Sequence, residues 1–124
     1  ASLLDSYFHC HEVNVQAHTA SGGEIKPFRC GQHHYAVSPL GIYKCREGYV
    51  IIAVLPNQWQ NFCNAIGRPE IATDPRFADG PSRIANRDQL NAMVETALAK
   101  FPSAIEAAEN WGFEHHVPIA PILT

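Results

Sequence analysis

The chain has 124 residues, enough for one ordinary domain and too few for a second full core. Hydrophobic residues make up 46%, as in globular proteins, and the 17% of charged residues is low, which suits a piece that buries a face against another domain or subunit. A net charge of −3 gives no field that favours nucleic acid, and no apolar run reaches the roughly 20 residues of a membrane span, so neither nucleic acid nor membrane is an expected partner.

In chain order, Ser2 is placed to N-cap a helix whose Leu3, Leu4, Tyr7, Phe8 and Val15 fall on one face, and Gly22-Gly23 end it. Residues 21–39 keep no hydrophobic period. Their glycines and prolines, and the run Cys30-Gly31-Gln32-His33-His34, predict a loop or linker. Residues 40–45 and 49–54 are rich in β-formers and flank Arg46-Glu47-Gly48, which predicts a hairpin with Gly48 at positive φ. The second strand shows no alternation, so both of its faces are expected to be buried. Asn57 reads as the N-cap of a helix over 58–66, with Trp59, Phe62, Cys63 and Ile66 inward and Gly67 as its stop. Prolines at 69, 75 and 81 allow only single turns over 68–81. A long helix is predicted over 82–100, striped by Ile84, Leu90, Val94, Ala97 and Leu98. A further helix restarts at Pro102-Ser103 and runs to about Glu114. Residues 117–122 close as a strand that two prolines confine to an edge. The fold class is α+β: a small domain with a β-hairpin, several helices and a C-terminal edge strand, preceded by a helix and a linker.

Cys10, Cys30, Cys45 and Cys63 are widely spaced with no CxxC pair. Asp5, His9 and Glu12 interrupt any signal-peptide pattern, so reduced thiols and a cytoplasmic setting are expected. His9, Cys10 and His11 form one His/Cys group, and Cys30, His33 and His34 another. Zinc needs four converging ligands from compact pairs, and a scatter of ordinary histidines and buried thiols outweighs a metal site here. Cys30 with His33, His34 and the cationic Arg29 could also suggest a cysteine nucleophile, but nothing in the spacing fixes that geometry. Cys45 and Cys63 read as packing residues. Glu47, Asp74, Asp88 and Glu95 stand where turn, capping or solvated roles explain them, and no Walker loop, GxGxxG, GxSxG or HExxH occurs. From the residues alone there is a fold class and no reaction.

The run Ser38-Pro39-Leu40-Gly41-Ile42-Tyr43-Lys44-Cys45-Arg46-Glu47-Gly48-Tyr49-Val50-Ile51-Ile52-Ala53-Val54 resembles the hairpin of the family III CoA-transferases, the CaiB–BaiF family. Gln58-Trp59, Phe62-Cys63, Gly67-Arg68-Pro69-Glu70, Asp74-Pro75-Arg76-Phe77, Arg83, Asn86 and Arg87 follow in that family's order. Val117-Pro118-Ile119-Ala120-Pro121-Ile122 is similar to its closing motif, and Ser2-Leu3-Leu4-Asp5-Ser6 to the start of a helix leading out of its large domain. The chain opens inside an apolar pattern and stops in a strand-like run, as an excised piece would.

The resemblance implies three parts: residues 1–22 as the helix leaving a missing large domain, 23–38 as a linker and active-site loop, and 39–124 as the small α+β domain. It implies an enzyme that moves CoA between an acyl-CoA and a carboxylate through an aspartyl intermediate. The aspartate is expected upstream of this chain, so Asp5 is not that residue and no catalytic residue is expected here. The fragment alone is expected to be inactive and to bind no cofactor, with a coenzyme A thioester as substrate of the full enzyme. The missing large domain, a second copy in a homodimer and acyl-CoA are the expected partners. Arg29, Gly31, Gln32, His33 and His34 are expected near the substrate, with Gly31 allowing close backbone approach. A 2-methylacyl-CoA racemase fragment and a non-catalytic acyl-CoA-binding module are the alternatives. Pro56, where the racemase branch tends to carry glutamate, weighs toward transfer, and His116 stands where the family often has glycine.

Overall fold

The computed structural model describes residues 2–123. Ser2 caps α1 (Leu3–Cys10), its Oγ accepting from the Asp5 N–H at 3.4 Å. The predicted first helix is broken, however. His11 leaves helical geometry at φ −93° and ψ 24°, and α2 (Glu12–Ala20) starts anew. The chain then turns at Gly22 and Gly23, both at positive φ, with the Gly23 N–H bonded to the His18 carbonyl at 2.8 Å. The apolar face of α1 is not a core face: Leu3, Leu4, Tyr7 and Phe8 are all exposed.

The hairpin forms as its composition predicts. β1 (Leu40–Lys44) pairs antiparallel with β2 (Tyr49–Ala53), and Gly48 takes φ +79° in the turn. β3 (Ile119–Ile122) adds antiparallel to β2 and completes a three-stranded sheet in the order β1-β2-β3, with Pro121 on this edge strand and Pro118 just before it. The expectation that β2 is buried on both faces fails. Val50 and Ile52 are fully buried, but Tyr49 and Ile51 are 40% and 46% exposed. An apolar run without alternation cannot report what covers its second face, and here that face stays open to solvent.

The helices differ from the predicted ones at their ends. Pro56–Gln58 is a 3₁₀ turn leading into α3 (Trp59–Ala65). Asn57 is not an N-cap; the free donor is the Leu55 N–H, which Gln58 Oε1 accepts at 3.0 Å. Gly67 ends this unit at φ +73°. Two 3₁₀ turns, Pro69–Thr73 and Pro75–Phe77, fill the proline-punctuated stretch. The predicted 82–100 helix is two helices, α4 (Gly80–Ala85) and α5 (Arg87–Leu98). Asn86 separates them because its side-chain amide donates to the Arg76 carbonyl at 3.0 Å and the Ser82 carbonyl at 2.9 Å. Ser103 caps α6 (Ala104–Glu109), which widens into a π-turn over Asn110–Glu114. His116 turns the chain into β3 at φ +54°, so the backbone keeps a glycine-like conformation with histidine in place.

The core lies on the inner face of the sheet. Tyr43, Val50 and Ile52 cluster with Phe62 and Cys63 of α3, Phe77 of the second 3₁₀ turn, Leu90, Val94 and Leu98 of α5, and Trp111. Burial pushes the Cys63 thiol up to about 11, as befits a packing residue, and raises Cys45 likewise.

Candidate functional site

The loop singled out in the sequence is held along the free edge of β1. The Ile42 N–H donates to the Gln32 carbonyl at 2.9 Å, and the His34 N–H to the Leu40 carbonyl at 2.8 Å, with His33 bridged opposite Gly41. This close approach depends on Gly41 having no side chain: a Cβ there would sit 2.6 Å from the Gln32 oxygen and 2.8 Å from His33 Cα. Gly31, at φ +71°, starts the turn into this contact and has nothing within 4 Å of its Cβ position. The Ser38–Pro39 peptide bond that precedes β1 is cis.

The candidate residues go different ways. Arg29, Gly31 and Gln32 are exposed, while His33 and His34 are half-buried. His34 stacks on Tyr35, ring centroids 4.7 Å apart, and its Nδ1 accepts from the Ala36 N–H at 3.1 Å. Tyr35 also meets Phe28 at 6.1 Å, over which the Arg87 guanidinium lies 5.6 Å from the ring centre. His33 instead lies edge-on to Tyr43, centroids 4.8 Å apart, with Nδ1 3.5 Å from Asn91 Nδ2. The Tyr43 hydroxyl donates to Asn91 Oδ1 at 3.0 Å. His33 Nε2 is buried and has no hydrogen-bond partner among the described residues. Asn91 and Tyr43 were not singled out in the sequence. No local spacing marks them, since they come to the loop from α5 and β1.

The Cys30 thiol donates to the His33 carbonyl at 2.6 Å, which ties the loop to itself. Because the two imidazoles turn to separate partners, Cys30, His33 and His34 do not converge. Among the described residues no three His, Cys, Asp or Glu side chains form a group that could hold a metal ion. A groove of about 320 Å³ lined by Ile66, Arg68, Gln89, Met93 and Lys100 lies elsewhere, and no residue from 29 to 34 lines it. The loop therefore offers exposed backbone at Gly31, a cation at Arg29 and hydrogen-bonding side chains, a set suited to holding a polar or anionic ligand rather than to attacking one.

Comparison with known proteins gives this arrangement a context. Acetyl-CoA:oxalate CoA-transferase of Acetobacter aceti is 35% identical over 100 residues, which are 78% of this chain and 25% of that protein. Succinyl-CoA:mesaconate CoA-transferase of Haloarcula marismortui is 30% identical over 123 residues, 98% of this chain and 29% of that protein. A solved CAIB/BAIF family protein from Brucella suis aligns with a TM-score of 0.71 at 29% identity, covering 92% of this chain and 29% of its own. The chain thus spans between 25% and 29% of the length of these relatives. Residues 1–124 match the family model for CoA-transferase family III throughout, and the chain belongs to that family.

Proposed function

We propose that the chain is the small capping domain of an enzyme that moves CoA from an acyl-CoA to a free carboxylate. The observation that carries this reading is the loop 29–34, fixed to β1 through the Gly41 gap with Gly31 and Gln32 left exposed. The nucleophile is an aspartate contributed by a segment outside these 124 residues. Its carboxylate attacks the thioester carbonyl and releases CoA thiolate, leaving an acyl–aspartyl anhydride. The thiolate then attacks the aspartyl carbonyl, freeing the first carboxylate and forming an aspartyl–CoA thioester. The incoming carboxylate and returning thiolate repeat these steps in reverse order to give the new acyl-CoA. Arg29, Gly31, Gln32, His33 and His34 bind and orient the substrate, and none of them forms a covalent bond.

The relatives named above are transferases for oxalate and for mesaconate, which supports a small dicarboxylate as acceptor here. Arg29 supplies the charge such an anion would meet. Pro56, in place of the glutamate that the racemase branch tends to carry, favours transfer over racemisation. The rest of the polypeptide and a second copy in a homodimer are the proposed partners, and the open apolar sheet face at Tyr49, Ile51 and Ile122 supports such contacts. The four free thiols suit a cytoplasmic setting.

The test is CoA exchange between acetyl-CoA and labelled oxalate, run with the chain alone and with the longer polypeptide that carries it. The expected result is exchange only in the longer form. Turnover by the chain alone would overturn the reading. Micromolar CoA affinity in the chain alone, measured by calorimetry, would favour a binding module instead.

A further inference from the structure

We infer that Tyr43 and Asn91 act as positioning residues that hold His33 as an Nε2–H tautomer, and that this Nε2–H is a hydrogen-bond donor to an oxygen of the acyl-CoA or carboxylate substrate. The assignment of the donor's target rests on the transferase reading above; the tautomer does not.

The argument starts at Tyr43, whose hydroxyl lies 3.0 Å from Asn91 Oδ1. Tyr43 is fully buried, and burial, with a smaller contribution from Glu95, raises its pKa well above the ordinary phenol range. It is therefore a neutral phenol, and in this structure its hydroxyl donates to the Asn91 carbonyl oxygen. That fixes the amide with Nδ2 toward His33, 3.5 Å from Nδ1. An amide N–H can only donate, so Nδ1 must accept, and the proton of the neutral ring is on Nε2. The edge-on contact with the Tyr43 ring holds the imidazole in that orientation.

Several other polar groups around His33 are occupied within the fold. The Gln32 and His33 carbonyls, the His34 N–H and His34 Nδ1 all have protein partners. Nε2–H is a buried donor without an acceptor among the described residues. Such a donor is uncommon in a folded chain and points to an acceptor supplied from outside. A carboxylate oxygen or thioester carbonyl is the acceptor chemistry that the proposed substrates bring. Nε2 is covered in this structure, so the contact forms on rearrangement of the loop around it.

Long-range ¹H–¹⁵N spectra of the chain labelled at histidine nitrogen read the tautomer directly. The expected spectrum has a protonated His33 Nε2 and an unprotonated Nδ1. Asn91→Asp should move the proton to Nδ1, because a carboxylate can only accept, and Tyr43→Phe, which keeps the ring in the core, should give a mixture of tautomers. A wild-type Nδ1–H, or an unchanged spectrum in both variants, overturns the relay. In the longer polypeptide, His33→Leu and Asn91→Asp should each lower kcat/KM by about tenfold or more, with His33→Gln, which retains a donor near the Nε2 position, recovering part of the loss. Wild-type kcat/KM in His33→Leu overturns the donor role. If the wild-type longer polypeptide exchanges no CoA, the transferase reading fails and the donor role with it, while the spectra still decide the tautomer.

Discussion

Gly41 does for the loop what no other residue at that position could. The gap it leaves is filled by backbone, the Gln32 carbonyl and His33 Cα, and backbone cannot rotate aside as a flexible side chain can. Gly41→Ala should therefore push the loop off β1 and break the two hydrogen bonds that hold it, from Ile42 to Gln32 and from His34 to Leu40. At about 1 kcal/mol for each bond, plus some loss of packing at His33, the expected cost is about 2–3 kcal/mol. Denaturant unfolding would measure it, and amide exchange at Ile42 and His34 would rise by more than exchange inside β2. An alanine variant with wild-type protection at those two amides would show that the gap is not what positions the loop.

Arg83 ties separate elements together in a similar way. It projects from α4, is only 6% exposed, and lies with its guanidinium 4.2 Å from the centre of the Trp59 ring of α3. Its Nε donates to the Phe77 carbonyl at 2.9 Å, and Nη2 reaches the Ala78 carbonyl at 3.4 Å. None of these partners is a carboxylate; the cation is met by carbonyl dipoles and a π-face. Arg83→Met keeps much of the stem volume and removes those polar contacts, so it should destabilise the fold by about 2–3 kcal/mol. A change below 0.5 kcal/mol, about the size typical of a neutral surface substitution, would mean that the stem alone matters. The same region shows why some elements were legible in the sequence and others were not. The hairpin, the edge strand and the proline-broken turns follow from residue types within a few positions, so local pattern reveals them. The break between α4 and α5 depends on Asn86 reaching the Arg76 carbonyl ten residues away, a contact that exists only once the segment has folded. In the site, the glycine and histidine loop stood out by composition. The Tyr43–Asn91–His33 relay joins residues 48 and 58 positions apart and leaves no local signal.

At the scale of the molecule, the core depends on a stretch with little regular backbone bonding. Residues 68–83 deliver Ile71 and Phe77 to the interior through 3₁₀ turns; Glu70 pairs with the Arg68 side chain beside the first, and Asp74 caps the second by accepting from the Arg76 N–H. The Arg76 side chain, and then its backbone N–H, lower the pKa of Asp74; the Arg68 side chain, and then the Glu70 N–H itself, lower that of Glu70; and the Ser82 hydroxyl and N–H hold Asp79 low at the start of α4. Each group has a folded-state pKa below its unfolded value, so between the two values the unfolded chain binds more protons. Their contribution is therefore fully present above the unfolded carboxylate range, near pH 4, and is lost as pH falls through the folded values. The thermal midpoint should be flat from neutrality to about pH 5 and fall below it. Asp79→Asn separates the charge from the cap, because asparagine can still accept from the Ser82 N–H, which now bonds Asp79 Oδ1 at 2.8 Å, but cannot titrate. Its midpoint should stay near the wild-type value at pH 7 and fall less steeply in acid. A variant with the full wild-type acid slope would show that Asp79 takes no part in it. A wild-type midpoint that rises on acidification would reverse the sign for the whole segment, and with it the claim that ionised carboxylates keep Ile71 and Phe77 in the core.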